Sequence, residues 1–267
     1  IRDSYGGSWQ EGAGAVFAEN QALRWLSDLA GLPESAGGVF VQGGTIGNLS
    51  ALVTAREDAR KKFPDVKQWA VLCSDEAHSS ITTAAQVMDV ELVTVAVRDD
   101  LKMYGADIAE AIDAYHAASD RRICAVIATS GTTNLGVIDD LVGAAKAAHD
   151  RNIWFHVDGA YGLAGLCAPS VRNEFNGVEL CDSFIVDPHK WLFAPYDACA
   201  LIYRNPDIAR ATHTQHASYL DALHDGAWNP SDYAIQLTRR TRGLPFWFSL
   251  AAAGTDAYRD AVEESLQ

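Results

Sequence analysis

The chain has 267 residues, 48% of them hydrophobic, enough to bury a substantial core in one large α/β domain or two small ones, and disorder is not expected. Lys and Arg total 21 against 35 Asp and Glu, a formal net charge of -14 that argues against wrapping a polyanion such as nucleic acid. Apolar runs such as Cys199–Tyr203 fall far short of the roughly 20 residues a membrane helix requires, so no membrane span is expected.

In chain order, a helix is expected from about Val16 to Ala30, stopped by Gly31-Leu32-Pro33. Short apolar runs at Gly38–Val41, Trp69–Cys73, Glu91–Val97, Ile123–Ala128, Ile153–Val157 and Ser183–Val186 read as strands. Helices are expected between them at about Ile46–Lys62, His78–Met88, Ala106–Ala118 and Leu141–Asp150. Alternation of this kind indicates a mainly parallel sheet, and runs that are apolar throughout imply helices on both faces, a three-layer α/β/α sandwich. Asn205 to Pro230 reads as an irregular loop, and Ser231 to Ala253 as helical despite Pro245. The chain begins at Ile1 without a basic-then-apolar leader and ends near Leu266 without further strands, so a trimmed N-terminus and a truncated C-terminus are expected.

The five cysteines, Cys73, Cys124, Cys167, Cys181 and Cys199, are odd in number and form no C-x-x-C pair, which fits a reducing cytoplasm better than a disulfide framework or zinc knuckle. No H-E-x-x-H occurs, and His213 and His216 read as solvated loop histidines, so no metal is expected. Arg239, Arg240 and Arg242 are too few for nucleic acid and are expected to face carboxylates or carbonyls.

Ligands of an open parallel sheet collect at the carboxyl ends of its strands, so the polar residues after each apolar run are the candidates. Gln42-Gly43-Gly44-Thr45 opens a helix, where close backbone approach and unpaired N–H groups suit a phosphate, although many such Gly-Gly turns only turn. His78, in Ala77-His78-Ser79, stands where it could stack on a flat ring or belong to a helix-capping cluster. Thr132 and Thr133, in Thr129-Ser130-Gly131-Thr132-Thr133, offer hydroxyls to a cofactor or simply make a turn. Asp158 closes the run Trp154–Val157 before Gly159 and Ala160; a carboxylate there either caps the next segment or pairs with a cation such as a protonated pyridine nitrogen. Lys190, in Asp187-Pro188-His189-Lys190-Trp191, sits in a turn between apolar segments, where desolvation would favour the neutral nucleophile over a surface role.

Taken together and in order, these motifs resemble the group II pyridoxal-dependent amino-acid decarboxylases, the family of aromatic-amino-acid, glutamate and related decarboxylases. The resemblance runs from near Trp9 through Gly43-Gly44-Thr45, Ala77-His78-Ser79, Gly131-Thr132-Thr133, His156-Val157-Asp158 and the Lys190 motif to a helix expected to contain Arg239-Arg240. It implies the large domain of a fold-type I pyridoxal-phosphate enzyme over residues 1-243, with 244-267 leading toward a C-terminal small domain mostly absent here. It also implies pyridoxal 5'-phosphate as cofactor, an amino-acid substrate and, in the full-length form, a homodimer.

By the same resemblance Lys190 is the Schiff-base lysine, Asp158 the partner of the pyridine nitrogen, and His78 the ring-stacking residue, with Ala160 over the opposite face. Gly44 and Thr45 hold the phosphate, Thr133 contacts the cofactor with Thr132 equally reachable, and His189 neighbours the phosphate or the substrate carboxylate. Tyr219 matches the loop tyrosine that returns a proton to Cα, a position where phenylalanine goes with aldehyde formation. Gln42 departs from the family by replacing a small residue. Trp191 and Tyr196-Asp197 lean toward an aromatic substrate; the alternatives are a glutamate or diamino-acid decarboxylase, another fold-type I lyase or transaminase, and a truncated non-catalytic core.

Overall fold

The computed structural model describes residues 6–215 and 228–267. Chain order is α1 (Trp9–Leu29), β1 (Gly37–Val41), α2 (Gly44–Lys62), β2 (Trp69–Ser74), α3 (Ser79–Met88), β3 (Glu91–Val95), α4 (Gly105–Ala118), β4 (Arg122–Thr129), α5 (Leu141–His149), β5 (Trp154–Asp158), β6 (Ser183–Val186), β7 (Cys199–Tyr203), α6 (Pro206–His213), α7 (Gly243–Ala253) and α8 (Thr255–Ser265). The strands form one sheet in the order β1-β7-β6-β5-β4-β2-β3, parallel except for β7, which runs antiparallel to both β1 and β6.

The central strands are buried on both faces because successive side chains enter different cores. Ala70 and Leu72 of β2 join the core under α1, α4, α5, α7 and α8, while Val71 and Cys73 join the one under α2, α3 and α6. A register shift between Ala70 and Val71 sets β4 one residue out against β2, so Cys124 and Ala125 both enter the second core. This is the expected α/β/α sandwich.

Four elements differ from expectation. Helix α1 begins at Trp9, capped by Ser8 and kinked at Gly12, because packing overrides the low helix propensity of Gly12 and Gly14. Strand β7 is not among the expected strands: a five-residue apolar run carries no periodicity, and only pairing on both sides makes it a strand. The segment expected to be irregular from Asn205 contains α6, whose start has a sequence signal, the Asn205 cap followed by Pro206. Conversely, Ser231 to Ala253 is not one helix: a 3-10 turn covers Pro230–Asp232 and the α-helix is Gly243–Ala253, with Pro245 in its first turn, so Arg239 and Arg240 precede it. No helix among the described residues is long and apolar enough to cross a membrane.

Arg239 ties the N-terminal helix to the sheet. Its guanidinium makes a bidentate pair with Glu19 at 2.9 and 3.0 Å and donates to the carbonyl of Phe40, while Glu19 also accepts from Gly243 N–H at 2.7 Å. Both side chains are 2% exposed. Glu19→Ala is expected to cost about 3 kcal/mol in urea unfolding, because it strands a buried guanidinium. A cost below about 1 kcal/mol would mean that water or another acceptor replaces the carboxylate.

His213 is likewise not the solvated histidine expected, and His216 lies outside the described residues. Its Nε2 donates to the Ser50 carbonyl at 3.2 Å and lies 2.9 Å from Thr54 Oγ1; burial holds its pKa down at about 4. The neutral ring therefore contributes stability above the ordinary value of 6.5, which is lost as pH falls through about 4 and amounts to about 3 kcal/mol when complete. His213→Gln should accordingly flatten the fall of Tm between pH 6.5 and 4; a parallel fall would show that His213 does not titrate with unfolding.

Candidate active site

A cavity of about 290 Å³ opens at the carboxyl ends of β2, β4, β5 and β6 and the N-terminus of α2. Gly44, Thr45, His78, Thr133, Asp158, Ala160, His189 and Lys190 all line it. Residues as far apart in sequence as Gly44 and Lys190 thus meet because the parallel strands all end on one side.

The anion-binding corner is α2. No side chain caps this helix; Ile46 and Gly47 N–H donate to the Gly43 carbonyl, which leaves the N–H groups of Gly44 and Thr45 for a ligand, with the Thr45 hydroxyl beside them. The helix can sit this low because of glycines: a Cβ on Gly47 would stand 2.8 Å from Ile185 and 3.0 Å from the Cys199 sulfur, and one on Gly44 3.2 Å from Ile185. Gln42, the departure from the family pattern, also lines the cavity, its carboxamide oxygen accepting from Gln236 at 2.9 Å.

His78 fulfils both readings open to it. It is the N-cap of α3, its Nδ1 accepting from Ser80 N–H at 3.1 Å, and it lines the cavity. Since a backbone N–H can only donate, Nδ1 carries the lone pair and the ring proton is on Nε2. Asp158 is 6% exposed and accepts from Ala160 N–H at 3.2 Å and Asn48 Nδ2 at 2.8 Å.

The lysine turn Asp187–Lys190 is held between antiparallel β6 and β7. Asp187 N–H donates to the Ala160 carbonyl, and His189 Nδ1 rests against the backbone of Ala198. Lys190 Nζ lies 3.0 Å from Asp187 Oδ2, and the lysine side chain is 37% exposed. The apolar surrounding expected for this lysine is therefore corrected: its amino group is half-open and beside a carboxylate. Thr132 is a second correction. It does not line the cavity; its Oγ1 accepts from Val137 N–H at 3.1 Å and its N–H donates to the Val137 carbonyl, closing the turn after β4 where Gly131 has a φ of +96°. Tyr219 lies outside the described residues.

Asn48 and Tyr161 lie outside the sequence motifs, and Asp187 lies within one but carries no expected role. Asn48 is 1% exposed on the sheet-facing side of α2, and Asp187 is 2% exposed with Oδ1 unpartnered. The signal for Asn48 is its position: one turn into a helix whose Gly47, Ser50, Ala51 and Thr54 are all buried, a carboxamide must find side-chain partners. Tyr161 and Tyr196 also line the cavity. Tyr196 stacks on His189 at 4.3 Å, while Trp191 stacks on Tyr161 at 5.2 Å and faces a neighbouring cavity of about 350 Å³. Among the described residues no group of three or more His, Cys, Asp or Glu is placed to hold a metal ion.

The mostly parallel seven-stranded sheet, covered by helices on both faces and with this cavity at its strand ends, is the architecture of a fold-type I pyridoxal-phosphate enzyme. The chain belongs to the pyridoxal-dependent decarboxylase family, whose conserved domain matches residues 6–267. It is 32% identical over 265 residues to an aromatic-L-amino-acid decarboxylase of Bacillus atrophaeus, covering 97% of this chain and 55% of that protein. An L-2,4-diaminobutyrate decarboxylase of Rhizobium meliloti (strain 1021) is 36% identical over 265 residues, covering 97% and 53%. Among solved structures, Oryza sativa TDC with PLP and tryptamine superposes with a TM-score of 0.89 at 27% identity, over 96% of this chain and 56% of that one. The chain thus spans just over half the length of these relatives. The family's cofactor is pyridoxal 5'-phosphate, and the donor set of the cavity fits it.

Proposed function

We propose that the protein decarboxylates an L-amino acid to the amine and carbon dioxide, with pyridoxal 5'-phosphate held in the cavity beside Lys190. The observation that carries this reading is the meeting of Lys190, Asp158 and the uncapped end of α2 around one cavity. When bound, the cofactor supplies an electron sink for the bond that breaks at Cα. Lys190 attaches it through Nζ, and Asp158 faces its ring nitrogen. Gly44 and Thr45 bind the phosphate, with Thr133 and His189 as further contacts. His78 lies on one ring face; Ala160, with only a methyl, leaves room on the other. Tyr219 is assigned the return of a proton to Cα on the strength of the family resemblance.

Residues 1-243 are assigned to the cofactor-binding large domain and 244-267 to the approach to a small domain, in a homodimer. A cytoplasmic location is supported by five unpaired, buried cysteines. An aromatic substrate is supported by Tyr161 and Tyr196, 45% and 78% exposed on the cavity wall, and by the absence of arginine from the lining among the described residues. The 36% identity to a diaminobutyrate decarboxylase favours a diamino acid as the second reading.

The test is product analysis with the full-length protein and added cofactor over aromatic, acidic and diamino acids. Carbon dioxide and amine in equal amounts, fastest from the aromatic set, are expected; keto acid without carbon dioxide would replace decarboxylation by transamination. In the same assay run in air, Tyr219→Phe should trade amine for aldehyde and ammonia, with dioxygen taking the electron pair and leaving as hydrogen peroxide. Undiminished amine output would remove Tyr219 from the proton return.

A further inference from the structure

The cavity's carboxylate does not stand alone. Asn48 Nδ2 donates to Asp158 Oδ2 at 2.8 Å and to Ser80 Oγ at 3.0 Å, while Asn48 Oδ1 lies 2.9 Å from His156 Nε2. His156 Nδ1 in turn lies 2.8 Å from Ser183 Oγ, which accepts from Trp154 Nε1 at 2.9 Å. Asn48, His156 and Ser183 are at most 1% exposed.

Hydrogen-bond chemistry leaves this cluster one arrangement. An ionised Asp158 only accepts, so the nitrogen of the Asn48 amide must face it and the oxygen must face His156. His156 therefore donates through Nε2–H, and its Nδ1 accepts from the Ser183 hydroxyl. Burial supports the neutral ring, pressing the His156 pKa below its ordinary value against the pull of Asp158. With Ala160 N–H on Oδ1 and Asn48 on Oδ2, each oxygen of Asp158 has one donor from the protein. The plane of the carboxylate is thereby set, and a lone pair on each oxygen is left over.

We infer that Asn48 is a positioning residue that fixes the Asp158 carboxylate for a cationic ring nitrogen, with the His156-Ser183-Trp154 chain fixing Asn48 in turn. The inference rests on the cofactor site proposed above and adds to it the element that orients the carboxylate. A residue that merely fills space on α2 would have no need of three correctly assigned polar partners.

Two variants of the full-length protein separate the bonds. Asn48→Asp keeps the shape and an acceptor for His156 but removes both donors and turns a carboxylate toward Asp158. Asn48→Leu, of similar size, removes donors and acceptor together. Both are expected to raise the Kd for pyridoxal 5'-phosphate by roughly tenfold or more, the scale of a hydrogen bond to a charged group. Both should also move the pH midpoint of the bound cofactor's visible absorbance, which a space-filling role would leave in place. Nitrogen-15 shifts of the histidine rings in cofactor-free protein supply an independent readout: His156 remains the Nε2–H tautomer in the wild type and Asn48→Asp, and changes to Nδ1–H in Asn48→Leu, where only Ser183 is left to bond it. An Asn48→Leu protein with unchanged Kd and unchanged absorbance midpoint would overturn the positioning role, even if its Tm were lower. Should the wild type bind no pyridoxal 5'-phosphate, the proposed function fails; the tautomer contrast then still decides whether Asn48 organises the cluster.

Discussion

Lys190→Ala is expected to lower turnover of the full-length enzyme by roughly 10³-fold or more, the scale on which removal of a covalent catalytic group is felt. It should also abolish the mass gain of one reduced cofactor that borohydride fixes on the wild type. The substitution has a second consequence, because Lys190 Nζ is 3.0 Å from Asp187, a carboxylate that is 2% exposed and has its other oxygen unpartnered. Removing the amino group leaves that carboxylate with His189 Nε2, 3.6 Å away, as its other side-chain neighbour. A lower Tm is therefore expected alongside the lost activity. Lys190→Arg separates the two effects: a guanidinium keeps a cation beside Asp187 but is no nucleophile at neutral pH, so Tm should recover while the borohydride adduct stays absent. Full turnover and an intact adduct in either variant would place the attachment on another amine.

How far the sequence carries depends on whether a feature is local. The parallel strands are legible because each is an apolar run between helical segments, and the site is legible because a parallel sheet gathers its strand ends on one side. His78, Asp158 and Lys190 could therefore be placed together from the linear pattern. Strand β7 was not legible, since Cys199–Tyr203 becomes a strand only through partners at Gly37–Val41 and Ser183–Val186. Thr132 illustrates the converse: its neighbour Thr133 reaches the cavity, while its own hydroxyl accepts from Val137 N–H in the turn after β4, a distinction invisible in a Thr-Thr pair. The surroundings of Lys190 differ from expectation for the same reason. Apolar flanking segments in sequence do not mean an apolar surrounding in space, because Asp187, three residues earlier in the same turn, folds back to meet its amino group. Asn48, with partners at 80, 156 and 158, is legible only as a buried amide in need of company.

Asp158→Asn is expected to lower kcat by roughly 10² to 10³-fold while leaving the cofactor covalently attached, because it touches neither Lys190 nor the phosphate corner on α2. The reasoning begins with an imbalance in the fold. Lys190 Nζ and His189 Nε2 both approach Asp187, whereas Asp158, 6% exposed, is held by two neutral donors, the Asn48 amide and Ala160 N–H. A buried carboxylate with donors and no cation is costly, and a protonated ring nitrogen arriving in the cavity relieves that cost. The cofactor should consequently stabilise the wild type more than its contacts elsewhere would suggest, and the asparagine variant, already neutral, should gain less. Thermal unfolding with and without saturating pyridoxal 5'-phosphate measures the difference, since ligand-induced stabilisation follows the affinity for the folded state. A smaller cofactor-induced rise in Tm for Asp158→Asn, together with a retained borohydride adduct, is the expected pair of results. An equal rise in both proteins would mean that Asp158 does not meet the ring nitrogen, and a kcat within tenfold of the wild type would show that protonation of that ring is maintained by some other group.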